Sequence, residues 1–168
     1  MFMLKTRRII LVLKDIRSIH NVGSILRTAE ALGIKDIVYS GYTPYPEIEN
    51  DSRILHLKKK IASTINKTSL DAEYNLNHQL ISDLPAFLYS KKTEGFVVAS
   101  LEQDSRSINI KEFDNKSNLV LILGNEVNGV DKDILNLSDF ILEIPLIGKK
   151  ESLNVVQATA IALYMLTS

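Results

Sequence analysis

An α/β fold, with a largely parallel sheet flanked by helices, is what the sequence predicts. Short β-branched apolar runs recur at Ile9–Leu13, Ile37–Ser40, Phe96–Leu101, Leu119–Leu123 and Phe140–Ile144. They are apolar almost without interruption, as strands covered on both faces are, and such strands belong to parallel sheets. Helical patterns lie between them, and strand–helix alternation defines the class. At 168 residues the chain is long enough for one domain, residues 1–168, with a real core.

Taken in order, Ile9–Leu13 opens the sheet. The segment Val22–Leu32 sets Val22, Ile25, Leu26, Ala29 and Leu32 on one helical stripe, with Gly33 as its stop. After Ile37–Ser40 comes Gly41–Asn50 (GYTPYPEIEN), whose two prolines mark a surface loop. The basic region 53–65 supplies the next helix. Pro85 opens the helix Pro85–Lys92, because an interior proline would break it. A short helical turn follows Val130, and Ser152–Leu166 closes the chain with Ser152 placed to cap it. On that last helix Leu153, Val155, Val156, Ile161, Leu163, Tyr164 and Leu166 point in several directions. Burying each such side chain is worth about 1.5–3 kcal/mol. The helix therefore belongs in the centre of one protomer or between a protomer and a second chain.

Lys plus Arg number 20 and Asp plus Glu number 20, so global charge does not favour nucleic acid. The distribution is uneven. Lys5, Arg7, Arg8, Lys14, Arg17, Arg27 and Lys35 face only Asp15 and Glu30 in the first 35 residues, and Arg53, Lys58, Lys59, Lys60 and Lys67 form a stretch without acids. Solvated faces and phosphate-binding patches are both compatible with this. The absence of cysteine excludes disulfides, thiolate zinc sites and a cysteine nucleophile, and fits a reducing cytoplasmic setting. The opening MFMLKTRR has too short an apolar part for a signal peptide. The terminal helix, with Asn154, Gln157 and Thr159, is not expected to enter a membrane.

Three loops follow predicted strands, and ligands in open α/β sheets gather beyond the strands' carboxyl ends. In the first, Asn21 sits where an N-cap belongs, and Arg27 lies almost opposite the apolar stripe. The second, Leu123-Gly124-Asn125-Glu126-Val127-Asn128-Gly129, is small and turn-forming, so backbone can approach a ligand closely. It is neither a dinucleotide fingerprint nor a Walker loop. The third runs from Pro145 through Gly148, Lys149 and Lys150 to Ser152. His20, His56 and His78 lack ligand spacing, so no metal site is expected. Ser152 has no evident Asp–His relay.

Together and in this order, the loops resemble the SPOUT methyltransferases, in particular the SpoU/TrmH branch of RNA 2′-O-ribose methyltransferases. The family's N-x-G-x-x-x-R motif is matched by Asn21-Val22-Gly23-Ser24-Ile25-Leu26-Arg27, its G-N-E loop by Gly124-Asn125-Glu126, and its I-P-x-x-G-x-x-x-S-L-N segment by Ile144 through Asn154. Val127 stands where the family more often has glycine, and Val156 and Gln157 where it favours small residues. The resemblance spans Ile9–Leu166 and leaves no room for an added RNA-recruiting domain. It implies a C-terminal deep trefoil knot and S-adenosylmethionine bent within it, held mainly by backbone groups of three loops. By position these include Leu101, Gly124, Ile144 and Leu153. It implies a homodimer with the terminal helix at the interface, and tRNA or rRNA as substrate. In-line methyl transfer to a ribose hydroxyl needs positioning and help with the proton. Arg27 and Asn21 are expected to hold the acceptor nucleotide, Ser152 and Asn154 to complete the pocket, and Glu126 to order the loops or face the cationic cofactor. A guanidinium hardly ever loses its proton, so Arg27 is assigned as a phosphate clamp that favours the developing alkoxide. A binding-only dimer of the same fold, and a methyltransferase with another acceptor, are the competing readings.

Overall fold

A computed structural model describes residues 7–168; Lys5 and the rest of the opening MFMLKT lie outside the described residues. In chain order the elements are β1 (Ile9–Lys14), α1 (Ile19–Ala31), β2 (Asp36–Ser40), α2 (Leu55–Ser69), β3 (Asn77–Ile81), α3 (Leu84–Thr93), β4 (Val97–Leu101), β5 (Ile108–Asn109), β6 (Leu119–Leu123), α4 (Lys132–Leu137), β7 (Phe140–Glu143) and α5 (Val155–Thr167). The seven-stranded sheet has the order β3-β2-β1-β6-β4-β7-β5. Every pairing in it is parallel.

The pleat sorts the central strands between two layers. Ile9, Leu11 and Leu13 of β1 face the cluster that holds Val22, Ile25 and Leu26 of α1, Ile65 of α2, and Ala162 and Leu163 of α5. Ile10 and Val12 face Leu84 and Leu88 of α3 and Ile134 and Leu135 of α4. Continuous apolar runs were needed because β1 and β6 are covered on both sides. The edges need none. β3, with Asn77, Gln79 and Leu80 exposed, and the two-residue β5 have no apolar run to announce them, and neither appears in the sequence-based assignment.

Two helix starts differ from expectation. Ser18, not Asn21, is the N-cap of α1, and its Oγ accepts the Asn21 N–H at 3.2 Å. The helix therefore begins at Ile19 and Asn21 lies within its first turn. Asn154, not Ser152, caps α5: its Oδ1 accepts the Val156 N–H at 2.8 Å, and the helix starts only at Val155. Residues 144–153 are left free to cross the sheet end. At its other end α1 stops at Gly33 (φ +78), as the glycine predicts.

The 41–54 loop is held by buried polar contacts. The Thr43 hydroxyl accepts the Ile16 N–H at 3.0 Å and lies 2.9 Å from the Leu13 carbonyl oxygen. Arg53 stacks on Tyr45 with its guanidinium carbon 3.6 Å from the ring centre, and donates to Asp51 and to the Tyr45 and Pro46 carbonyls. On α5, Thr159, Ala162, Leu163 and Leu166 are buried, whereas Tyr164 is 66% exposed and Ile161 39%. Within one protomer the helix is thus covered on one side only. Among the described residues no helix is long and apolar enough to cross a membrane.

Candidate functional site

Parallel register brings Leu101, Leu123 and Leu142, near the carboxyl ends of β4, β6 and β7, to one level. Just beyond them lies a cleft of ≈ 280 Å³. Its walls come from Leu101–Gln103, from Gly124–Val127 with Gly129, from Glu143, Ile144 and Leu146, from Ser152 and Leu153, and from Val155 and Ala158 of α5. Leu101, Gly124, Ile144 and Leu153, the residues expected to meet a cofactor, all line it, as do Ser152 and Glu126. Asn154, Asn21 and Arg27 do not.

The 124–130 loop is built on its own hydrogen bonds. Asn125 and Gly129 exchange backbone bonds at 3.1 and 2.9 Å. The Asn125 side chain is nearly buried. Its Nδ2 donates to the Asp15 carbonyl at 2.9 Å and to the Tyr42 hydroxyl at 2.8 Å, while Oδ1 accepts the N–H groups of Val127 and Asn128, each at 2.9 Å. A Cβ on Gly124 would lie 2.4 Å from the Gly129 carbonyl carbon and 2.5 Å from the Val130 nitrogen. The missing side chain thus makes room for the loop's own backbone, a different use from the ligand approach expected of it.

Glu126 ties this loop to the start of α1. Its carboxylate accepts the Arg17 N–H at 3.0 Å, the Ser18 N–H at 3.2 Å and the Asn21 Nδ2–H at 3.0 Å. Burial opposes ionisation, but the N–H groups of Arg17 and Ser18 and the Asn21 carboxamide outweigh it and hold the carboxyl below its usual range. A carboxylate at the first turn of a helix also suits the helix dipole. Of its two expected roles, loop ordering is the one the hydrogen bonds describe. Asn21 and Glu126 therefore meet, although 105 positions apart. Arg27 does not join them. Six residues on, it has turned well round the helix and advanced about 9 Å along it. It is exposed, and among the described residues no carboxylate or carbonyl binds it.

Like Gln103 and Glu143, Glu102 is a polar cleft residue that sequence reasoning missed. Burial raises its carboxyl above the usual range, against N–H groups of Gln103 and Val130 that favour the charge. It presses on Gly129, whose φ is +68 and where an added Cβ would fall 1.9 Å from Oε1. Its only local signal is an acid directly after an apolar strand. The cleft walls mix apolar side chains with polar groups, which suits a small organic ligand that has polar edges. Leu101, Ile144 and Leu153 can flank a flat ring, and Glu102 can accept from hydroxyl or ammonium groups. Among the described residues no His, Asp and Glu side chains gather as a metal ion would require.

Comparison with known proteins gives a consistent picture. The model of the SpoU rRNA Methylase family matches residues 8–164. A Borreliella burgdorferi protein described as an uncharacterized tRNA/rRNA methyltransferase is 33% identical over 163 residues, which are 97% of this chain and 65% of that protein. The tRNA (guanosine(18)-2′-O)-methyltransferase of Aquifex aeolicus is 26% identical over 160 residues, 95% of this chain and 69% of that one. This chain thus spans about two thirds of those relatives. The crystal structure of an AdoMet-bound rRNA methyltransferase from Sinorhizobium meliloti superposes with a TM-score of 0.81 at 21% identity, covering 96% of this chain and 56% of that one.

Proposed function

This chain belongs to the SpoU rRNA methylase family, and on that premise we propose that it transfers a methyl group from S-adenosylmethionine to a ribose 2′-hydroxyl of tRNA or rRNA. The observation that carries the proposal is the convergence of Leu101, Gly124, Ile144 and Leu153 on one cleft at the sheet's carboxyl edge. When bound, S-adenosylmethionine supplies an electrophilic methyl group on a sulfonium centre.

The chain's own residues supply the rest. Leu101, Ile144 and Leu153 would hold the cofactor and keep water from it, and Glu102 would accept hydrogen bonds from its polar groups. Glu126 fixes the cleft loop against α1 and so sets the position of Asn21. Asn21 orients the acceptor nucleotide, with Ser152 in the cleft wall and Asn154 holding the start of α5 beside it. Arg27 clamps the acceptor's phosphate and, as a fixed positive charge, favours the alkoxide forming at the 2′ oxygen.

A homodimer is part of the same proposal. Ile161 and Tyr164 leave an apolar strip along α5 that a second copy would cover. So are the trefoil passage of residues 144–154 around the cleft and a cytoplasmic location beside the RNA substrate. Mapping ribose methylation in total RNA with and without the protein tests the function. A gain of 2′-O-methyl at one nucleotide is expected. Tight binding of S-adenosylmethionine with no methyl transfer to any RNA would instead make the chain a binding protein.

A further inference from the structure

We propose that the outward face of α2 is the surface on which the RNA backbone docks, an inference that rests on the RNA methyltransferase reading. Ile65 and Ser69 turn α2 toward the core, and Gly23 of α1 meets it at Ile65 and Thr68. On the opposite side His56, Lys60, Ser63 and Lys67 follow one another at spacings of four, three and four, with Lys59 beside them, and all five are exposed. The stripe is about 16 Å long. No acid lies within its first turn, and Leu55–Ser69 contains none at all. Of the acids that flank the helix, four are engaged, Asp71 and Glu73 by hydrogen bonds from Asn66. Asp51 is held by Arg53, and Glu47 pairs with Lys58 at 3.2 Å. Lys59, Lys60 and Lys67 thus have no carboxylate within ion-pair distance among the described residues, in a chain whose net charge is zero.

A polyanion fits this face better than a lipid surface does. A helix that lies in a membrane offers it an apolar side, whereas the apolar side of α2 is spent on α1. The exposed Leu55 and Leu57 sit at one end and flank the stripe rather than lie on it. The face is also tied to the cleft. The Arg53–Tyr45 stack fixes the loop leading into α2, and Tyr42 of the same loop meets Asn125 of the cleft loop. An RNA held on α2 is therefore held at a set distance from the methyl-transfer site.

The test is binding of fluorescein-labelled unfractionated tRNA, followed by anisotropy between 50 and 200 mM salt. Each lost phosphate contact lowers the slope of log K against log salt by roughly 0.7–0.9. The variant K59A/K60A/K67A should lose about two units of slope and bind at least tenfold more weakly at the lower salt. Its thermal midpoint and S-adenosylmethionine affinity should stay those of the wild type. The control K35A/K111A/K116A, with the same change of charge elsewhere, should keep the wild-type slope. Equal loss in both triple variants, or none in the first, overturns the docking face while leaving the methyltransferase reading intact. A wild-type protein that binds the cofactor but no RNA sinks both. Binding to phosphatidylserine vesicles that depends on the three lysines, without RNA binding, would assign the face to a membrane instead.

Discussion

Gly124→Ala separates a glycine needed by the fold from one needed by a ligand. The new Cβ would stand 2.4, 2.5 and 2.7 Å from the Gly129 carbon, the Val130 nitrogen and the Gly129 oxygen. Carbon contacts are comfortable from about 3.5 Å, so roughly 1 Å must be found, and found in backbone rather than in a flexible side chain. Overpacking of this kind costs about 1–3 kcal/mol. For a chain of this size each kcal/mol lowers the thermal midpoint by about 2–4 °C, so a fall of about 2–12 °C is expected. Cofactor affinity should fall with it, because the bonds of Asn125 to Asp15 and Tyr42, and of Glu126 to α1, start from the displaced loop. Gly148→Ala is the control. Nothing lies within 4 Å of its Cβ position and its φ is outside the left-handed region, so stability should stay within about 0.5 kcal/mol. Circular dichroism melting and titration calorimetry with S-adenosylmethionine read the two effects. A Gly124→Ala protein with the wild-type midpoint and no cofactor binding would refute the reasoning: the space would then belong to the ligand.

Arg27→Ala should fold normally, since the side chain is exposed, yet cost about 3–4 kcal/mol of transition-state stabilisation, a few hundredfold in rate. Arg27→Lys should recover part of this with the wild-type pH–rate profile; a limb moved to lower pH would make Arg27 the proton acceptor. Tyr164→Glu should give folded monomers by light scattering, and a wild type that is monomeric at micromolar concentration would remove the dimer. Ala162→Glu is no test of the interface, because Ala162 is fully buried in the protomer's own core and its charge would unfold the chain. Hydrogen bonds from Arg53, against the cost of burial, bring the Asp51 carboxyl from 3.8 to about 2. Its pKa is depressed on folding, so the stabilisation is complete above about pH 5 and is lost as pH falls from about 4 toward 2. Asp51→Asn should flatten that acid limb by on the order of 1–2 kcal/mol, and parallel melting curves for the two proteins would contradict this.

How much of this was legible follows from how local each cause is. β1 and β6 were plain because burial on both faces forces an unbroken apolar run, and α1 was plain because its stripe repeats at helical spacing. β3 has a neighbour on one side and water on the other, so Asn77 and Gln79 carry no such pattern. The α1 cap differs from expectation for a reason no local window contains. Asn21 could cap α1, but its carboxamide is engaged by Glu126, which comes 105 residues later, and Ser18 is left to do the capping. Glu102 was silent because an acid after a strand is ordinarily just a loop residue. Its meaning comes from Gly129 folding back onto it.

Arg27 is the reverse case, conspicuous in the motif and outside the cleft of its own protomer. If Arg27 clamps the acceptor as proposed, its charge has to meet the cleft through the acceptor RNA or through a second chain. Tyr164→Glu monomers that still bind S-adenosylmethionine decide between these. Methyl transfer at the wild-type rate would mean that Arg27 serves its own chain's cleft through the RNA. Transfer lost in the monomers, and regained on mixing a cleft-defective Leu153→Glu chain with an Arg27→Ala chain, would mean that it serves the cleft of its neighbour.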